Sequence, residues 1–373
     1  MDGRTVGTEI PRKQLMNACL TSGRWGQMVL SIVILVMLCG CVSTSSDGNF
    51  TVKHRGSELV GDLTLPDGAG SHPAVIFIHG DGAMTADSYG YYKPLMEAFN
   101  RAGFATLSWD KPGVGRSKGD WLTQSMQDRA DEAIAVAQAL KQRTDIDDDA
   151  VGLWGISQAG WVMPLAVSQS SEFAFMISVS AAVSWLRQSR YLTRNRLHLE
   201  GYDEADIETA LAFGEKVDAL LASDTSYDTY LELLSDAPTC CNEAMDAKRW
   251  RFTRLNIDAD AIEALRETQV PVLALFGDKD LNVDTRESAN VYERVLPRSE
   301  TSDVTIKVFE NADHSLYPSS KGRISGTGFG DTWRVLKVEF LGADAFVPDY
   351  INSTVEWAVN WYQSRPLNSV VAH

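Results

Sequence analysis

One serine in this chain stands in a context suited to nucleophilic chemistry. Val151-Gly152-Leu153-Trp154-Gly155-Ile156-Ser157-Gln158-Ala159-Gly160 is an apolar run that breaks at Ser157 and continues into a helical-looking segment. The pattern predicts a strand, a sharp turn and a helix. A turn of that kind strains the backbone of its central serine, aims the hydroxyl out of the sheet, and requires small residues two positions to either side. Gly155 and Ala159 occupy those positions, with Ala159 adding one methyl where a second glycine is usual.

A serine is a poor nucleophile without a base, and the base needs an acid to fix its tautomer and stabilise the imidazolium. The chain holds six histidines. His54 lies early, His72 precedes the first continuous apolar run, His198 falls in a charged helical stretch, and His373 is the last residue. His79 opens the loop after the run 74–78, whereas His314 follows the last predicted strand. A wound sheet bearing this turn presents its partners in the order serine, acid, histidine, so His314 is the expected base. Asp280, in Gly277-x-x-Asp280 after another buried strand, is the expected acid; Asp278 and Asp284 are alternatives that also suit a turn or a helix cap. Asp313, adjacent to His314, is poorly placed to orient its ring. One oxyanion donor is expected at the backbone N–H of Gln158, where a helix begins and its dipole favours negative charge. The other is expected in His79-Gly80-Asp81-Gly82, first at Asp81 and second at Gly82, since glycines permit close backbone approach. His79 is expected to hold this loop by hydrogen bonds and not to transfer protons.

The elements that must position these groups alternate along the chain. Residues 58–65 alternate like an antiparallel strand, 74–78 form a continuous apolar run, 89–102 carry helical spacing, and 104–109 form the next strand. Residues 125–143 are amphipathic with an alanine-rich face, and they lead into the strand before Ser157. This rhythm predicts an α/β fold, a mostly parallel doubly wound sheet whose chemistry sits at the carboxyl ends of its strands. Residues 50–183 supply its first half and 268–373 its second, with strands at 270–276 and 304–309 and a closing helix at 351–364. Between them, residues 184–267 show helical segments, such as 206–222 and 227–234, without a convincing strand; they are expected to form an inserted helical cap. Trp161, Trp185, Tyr191, Phe213 and Trp250 are candidates either for the pocket under that cap or for ordinary core.

In their order and spacing, His79-Gly80, Asp110-x-Pro112-Gly113-x-Gly115-x-Ser117, Gly155-x-Ser157-Gln158-Ala159-Gly160, Gly277-x-x-Asp280 and Asp313-His314-Ser315 resemble the α/β-hydrolase superfamily over residues 55–365. Within it the chain looks most like bacterial serine carboxylesterases with a helical cap. The resemblance implies Ser157 as nucleophile, Asp280 as acid and His314 as base, with Asp110 and Arg116 in structural roles. It implies hydrolysis of a small-molecule ester through an acyl-enzyme, with no metal or organic cofactor. Peptidases, thioesterases and acyltransferases share the machinery, and a ligand-binding lipoprotein without turnover is the alternative of a different class.

The first 40 residues have another character. Arg4, Arg12, Lys13 and Arg24 precede an apolar run at 28–38, which is shorter than the roughly 20 residues a membrane span needs. The run ends at Leu38-Cys39-Gly40-Cys41, which resembles the lipobox of bacterial lipoproteins. The resemblance implies a signal peptide over 1–40, with translation starting at Met1 or Met16, and a lipid-bearing Cys41. Residues 41–49 are expected to be a polar tether. Val42, where an aspartate would favour the inner membrane, points to the outer membrane of a bacterial envelope. Residues 41–373 hold 30 basic and 48 acidic residues, a net charge of −18 that argues against nucleic acid and against electrostatic attachment to anionic lipid. Cys240 and Cys241 have no metal-ligand spacing to a histidine and are expected to be two free thiols, with a strained vicinal disulfide as the alternative.

Overall fold

The computed structural model describes residues 46–299, 302–324 and 336–365; residues 1–40, Cys41 and His373 lie outside the described residues. β1 (Ser46–His54) and β2 (Ser57–Thr64) form an antiparallel pair, and β2 continues antiparallel onto β4 (Ala105–Trp109). From β4 onward, β3 (His72–Ile78), β5 (Ile146–Ile156), β6 (Met176–Val179), β7 (Val272–Gly277) and β8 (Val304–Phe309) are parallel. The eight strands lie in the order β1-β2-β4-β3-β5-β6-β7-β8. β1 begins inside the stretch expected to be a tether, with Ser46 opposite Thr64 and Asn49 opposite Asp62. An edge strand gains its ladder from backbone groups, so a polar composition conceals it.

Successive side chains of a strand point to opposite faces, and both faces here are covered, which is why the central strands are continuously apolar. Ala74, Ile76 and Ile78 enter one core with Ala130, Ala133 and Ala137 of α2 (Met126–Leu140) and Val162 and Met163 of α3 (Ala159–Gln169). Val75 and Phe77 enter the other, with Leu95 and Phe99 of α1 (Lys93–Arg101) and Ile351 and Val355 of the closing helix Tyr350–Ser364. The alanine-rich face of α2 lets that helix approach the sheet closely.

After β6 the chain forms five helices before returning to the sheet: α4 (Trp185–Glu200), α5 (Glu204–Leu221), α6 (Tyr227–Leu234), α7 (Ala247–Asn256) and α8 (Ile262–Arg266). α9 (Thr285–Val295) follows β7, and the closing helix is α10. The cap is bonded to the sheet layer at Asn256, the last residue of α7. Its Oδ1 accepts from the N–H of Met126 at 2.8 Å, and its Nδ2 donates to the carbonyl of Gln124 at 3.2 Å. Trp185 at the start of α4 stacks on Trp161 of α3 with ring centres 5.2 Å apart. Cys240 and Cys241 are free thiols with sulfurs 3.1 Å apart.

Candidate active site

Ser157 sits where β5 ends and α3 begins, with φ of 59°. A non-glycine residue in that region is strained, and surrounding bonds must hold it there. The Ser157 N–H donates to the carbonyl of Val179 on β6 at 2.9 Å, and the Ser157 carbonyl accepts from Gly160 at 2.9 Å. Gly155 is required by close approach: a Cβ there would lie 2.6 Å from that of Ala159 and 2.8 Å from Met163 Sδ. The methyl that Ala159 adds therefore occupies space that Gly155 leaves open.

Two strands along, Asp280 follows β7 and His314 follows β8, and the structure brings the two together. His314 Nδ1 and Asp280 Oδ2 are 2.7 Å apart, with both side chains buried. Asp280 Oδ1 accepts from the N–H groups of Asn282 at 2.7 Å and Val283 at 2.9 Å, so the carboxylate is held at both oxygens. Because a carboxylate only accepts, the Nδ1 of His314 carries the hydrogen and Nε2 is left to act as a base. Burial disfavours the imidazolium, but the charge and hydrogen bond of Asp280, assisted by Asp313, outweigh it and raise the His314 pKa above its ordinary value. The other carboxylates are engaged elsewhere. Asp278 is exposed and pairs with Lys279 at 2.8 Å; Asp284 caps α9 through the Glu287 N–H; Asp313 Oδ1 accepts from Ser315 and Tyr317. Ser157, Asp280 and His314 share the carboxyl edge of the sheet, on β5, β7 and β8. No hydrogen bond among the described residues joins the Ser157 hydroxyl to the imidazole.

The loop after β3 lies against the serine: a Cβ on Gly80 would be 3.4 Å from that of Ser157. His79 holds this loop as expected. Its Nε2 donates to the Trp109 carbonyl at 2.6 Å and its Nδ1 accepts from Tyr92 Oη at 3.1 Å, a tautomer set by the carbonyl. Burial, with Lys111 nearby, pushes its pKa down to about 3, so it is neutral. Asp110 and Arg116 are structural: Asp110 accepts from the N–H of Ala86 and from Arg116, which forks onto Asp62 at 2.7 and 2.9 Å.

Lys111, Arg129 and Arg249, which no sequence motif marks, surround the same loop. Lys111 Nζ donates to the Gly80 carbonyl at 2.6 Å, and Arg129 donates to the His79 carbonyl at 2.6 Å and to Gln158 Oε1 at 2.5 Å. Both are buried. Arg249, from α7 of the cap, forks onto the Asp81 carboxylate at 3.0 and 2.8 Å. Burial would raise the Asp81 pKa, but Arg249 holds the carboxyl below its usual range. The trace of Arg129 in the sequence is a charge on the apolar, buried face of α2, which it shares with Glu132, the acceptor of Trp109 Nε1 at 2.7 Å.

Inside the cap lies a cavity of about 600 Å³, walled by Trp185, Leu211, Phe213, Tyr230 and Arg249 among others. Trp185 and Phe213 thus line it. Trp161 and Trp250 are buried in packed ring contacts, and Tyr191 donates its hydroxyl to the Asp280 carbonyl at 2.9 Å.

Residues 70–319 match the family model described as serine aminopeptidase, S33. A 132-residue stretch is 30% identical to an uncharacterised 31.7 kDa protein of Escherichia coli from the traX–finO intergenic region, covering 34% of this chain and 43% of that protein. The chain therefore spans less than half the length of this curated relative. In structure it is similar to an esterase of Pyrococcus furiosus, with a TM-score of 0.53 at 15% identity over 94% of this chain and 98% of the other. It is also similar to the proline iminopeptidase of Mycobacterium smegmatis, with a TM-score of 0.54 at 16% identity over 84% and 98%. At such identities these two structures speak to the fold alone. The family match covers most of the sheet, including all three strand ends just described, and the chain belongs to the serine aminopeptidase S33 family of α/β-hydrolases.

Proposed function

We propose that this α/β-hydrolase is a serine hydrolase that cleaves small-molecule carboxylic esters through an acyl-enzyme. In this reading Ser157 Oγ attacks the ester carbonyl while His314 Nε2 takes its proton, and Asp280 stabilises the resulting imidazolium. The backbone N–H groups of Asp81 and Gln158 bond the oxyanion of the tetrahedral intermediate. His314 returns the proton to the departing alcohol, leaving the acyl group on Ser157. Water, deprotonated by His314, then attacks the acyl-enzyme and releases the acid, restoring the serine hydroxyl. The supporting observation is the buried 2.7 Å bond between His314 and Asp280, at the sheet edge where Ser157 is held at a φ of 59°.

Labelling with a fluorophosphonate probe tests the assignment. Wild type labels and Ser157→Ala does not; equal labelling, or none, refutes an activated serine. The family match favours a second reading, an aminopeptidase. A panel of nitrophenyl esters and aminoacyl anilides separates the two, since short-chain esters turn over faster under the proposal and anilides under the alternative.

The sequence around Cys41 supports a further element of the proposal, that the mature protein begins there as a lipid-anchored protein of the bacterial outer membrane. The several acyl chains such a cysteine receives suffice for stable anchoring, where one would not.

A further inference from the structure

The residues assigned above to the oxyanion donors, Asp81 and Gln158, hold each other by their side chains. Gln158 Nε2 donates to Asp81 Oδ1 at 3.1 Å. That contact is the middle of a longer frame. On one side Arg129 joins Gln158 Oε1 to the His79 carbonyl, and Lys111 holds the Gly80 carbonyl. On the other side the guanidinium of Arg249 forks onto Asp81. Three successive residues of the loop are therefore gripped, two by their carbonyls and the third by its carboxylate.

The geometry of the peptide unit gives this frame a consequence. The Gly80 carbonyl and the Asp81 N–H belong to one planar trans unit and point in opposite directions. The unit is held at the Gly80 carbonyl by Lys111 and at its Asp81 end through the carboxylate, by Arg249 and Gln158, so a shift at either end turns the N–H. Lys111 and Arg129 are buried and fixed, whereas Arg249 is partly exposed, lies over the Phe252 ring at 5.0 Å, and forms part of the wall of the cap cavity. It is the one member of the frame that the contents of the cavity can reach.

We propose that Arg249 is a positioning residue that couples occupancy of the cap cavity to the orientation of the Asp81 N–H. The proposal rests on the serine-hydrolase reading. An ester whose acyl or alcohol part reaches the cavity packs against Arg249, keeps its fork on Asp81 from loosening, and so holds the oxyanion donor from a distance. Esters too small to reach the cavity depend on the fork as it stands in the free protein.

Arg249→Ala, Asp81→Ala and the double variant, made in the full chain, test this with nitrophenyl acetate and a long-chain nitrophenyl ester as substrates and a trifluoromethyl ketone as an inhibitor that forms the tetrahedral adduct. The loss in Arg249→Ala is expected to be greater with the long ester, and an equal loss with both overturns the coupling. Removing a whole oxyanion donor costs about a hundredfold to a thousandfold in kcat, so a misaimed one is expected to cost about tenfold to a hundredfold. For Arg249→Ala, kcat falls by that factor, KM stays within about twofold, and ketone affinity falls in parallel with kcat. The double variant is no worse than the worse single one, and Arg249→Lys recovers part of the loss. A merely structural ion pair moves the thermal midpoint and leaves the split between kcat and KM untouched. Unchanged kcat, losses that multiply in the double variant, or a loss confined to KM overturns the proposal. If wild type labels with a fluorophosphonate and turns over esters through Ser157 while the Arg249 variants match it, the coupling alone is wrong. If turnover survives Ser157→Ala, the parent reading fails and the coupling fails with it.

Discussion

His314 is subject to two opposing effects, and their balance sets the pH at which it would serve as the proposed base. Burial lowers its pKa, while the Asp280 carboxylate, with Asp313, raises it further than burial lowers it. Since the neutral imidazole is the base, kcat/KM for an ester is expected to rise with pH through a midpoint above the ~6.5 of a free imidazole. Stability runs the opposite way. A folded-state pKa above the unfolded one contributes stability that is fully present below the unfolded value and is lost as pH rises through the folded one. Asp280→Asn removes the carboxylate that counters burial, so the midpoint of the pH–rate profile moves down and kcat falls by about 10⁴-fold. A midpoint unmoved by that change would show that Asp280 does not act on the imidazole. Ser157→Ala and His314→Ala are each expected to lower kcat by about a thousandfold or more in a nitrophenyl ester assay. Retained activity in the histidine variant would remove it as the base. The serine, the histidine and the preferred acid were legible as residue types in motifs. The choice of Asp280 over Asp278 and Asp284 is a matter of which carboxylate reaches Nδ1, and three carboxylates of one loop differ in that only once the loop is folded.

At the scale of elements, the elbow and the cap attachment are the points at which a single change should be felt. Gly155→Val places a branched side chain where even a Cβ meets Ala159 and Met163, so β5 and α3 cannot both keep their places. The variant is expected to lose esterase activity together with a lowered thermal midpoint; wild-type values for both would mean that the turn has room to spare. Asn256→Ala deprives the buried N–H of Met126 of its side-chain acceptor and detaches the end of α7 from α2. Denaturant unfolding is expected to show a loss of about 1–3 kcal/mol, the usual cost of a buried polar group left unpaired. The strands 304–309 and 227–234 as a helix were readable to the residue, because apolar periodicity and turn residues bound them. β1 was not, since polar edge residues carry no such periodicity. The helix after β3 begins at Lys93 and not near 89, because residues 85–92 are taken up by turns that include positive φ at Ser88 and Tyr89.

For the whole molecule, charge and lipid make separable predictions. With a net charge of −18 over residues 41–373, anionic membranes repel the folded domain, so under the proposed lipid anchoring attachment would rest on Cys41. Cys41→Ala is expected to move the protein from the membrane to the soluble fraction and to abolish incorporation of a clickable palmitate analogue. Continued sedimentation with membranes would exclude Cys41 as the anchor. The cap makes a different prediction at this scale. Arg249 joins the wall of a cavity of about 600 Å³ in the cap to Asp81 of the loop beside Ser157, so under the proposed coupling activity is expected to change with the length of the ester's acyl group.

What the sequence determined by itself is local. Apolar periodicity marked the buried strands, small residues marked the elbow, and chain order arranged serine, acid and histidine, because each of these is imposed on residues close together or in a prescribed succession. Only the tertiary structure decided the frame around the loop at residues 79–82. Lys111, Arg129 and Arg249 come from a loop, a sheet helix and a cap helix, and the Arg249–Asp81 pair spans 168 positions. No periodicity or motif links groups so far apart; packing of the cap on the sheet brings their charges together.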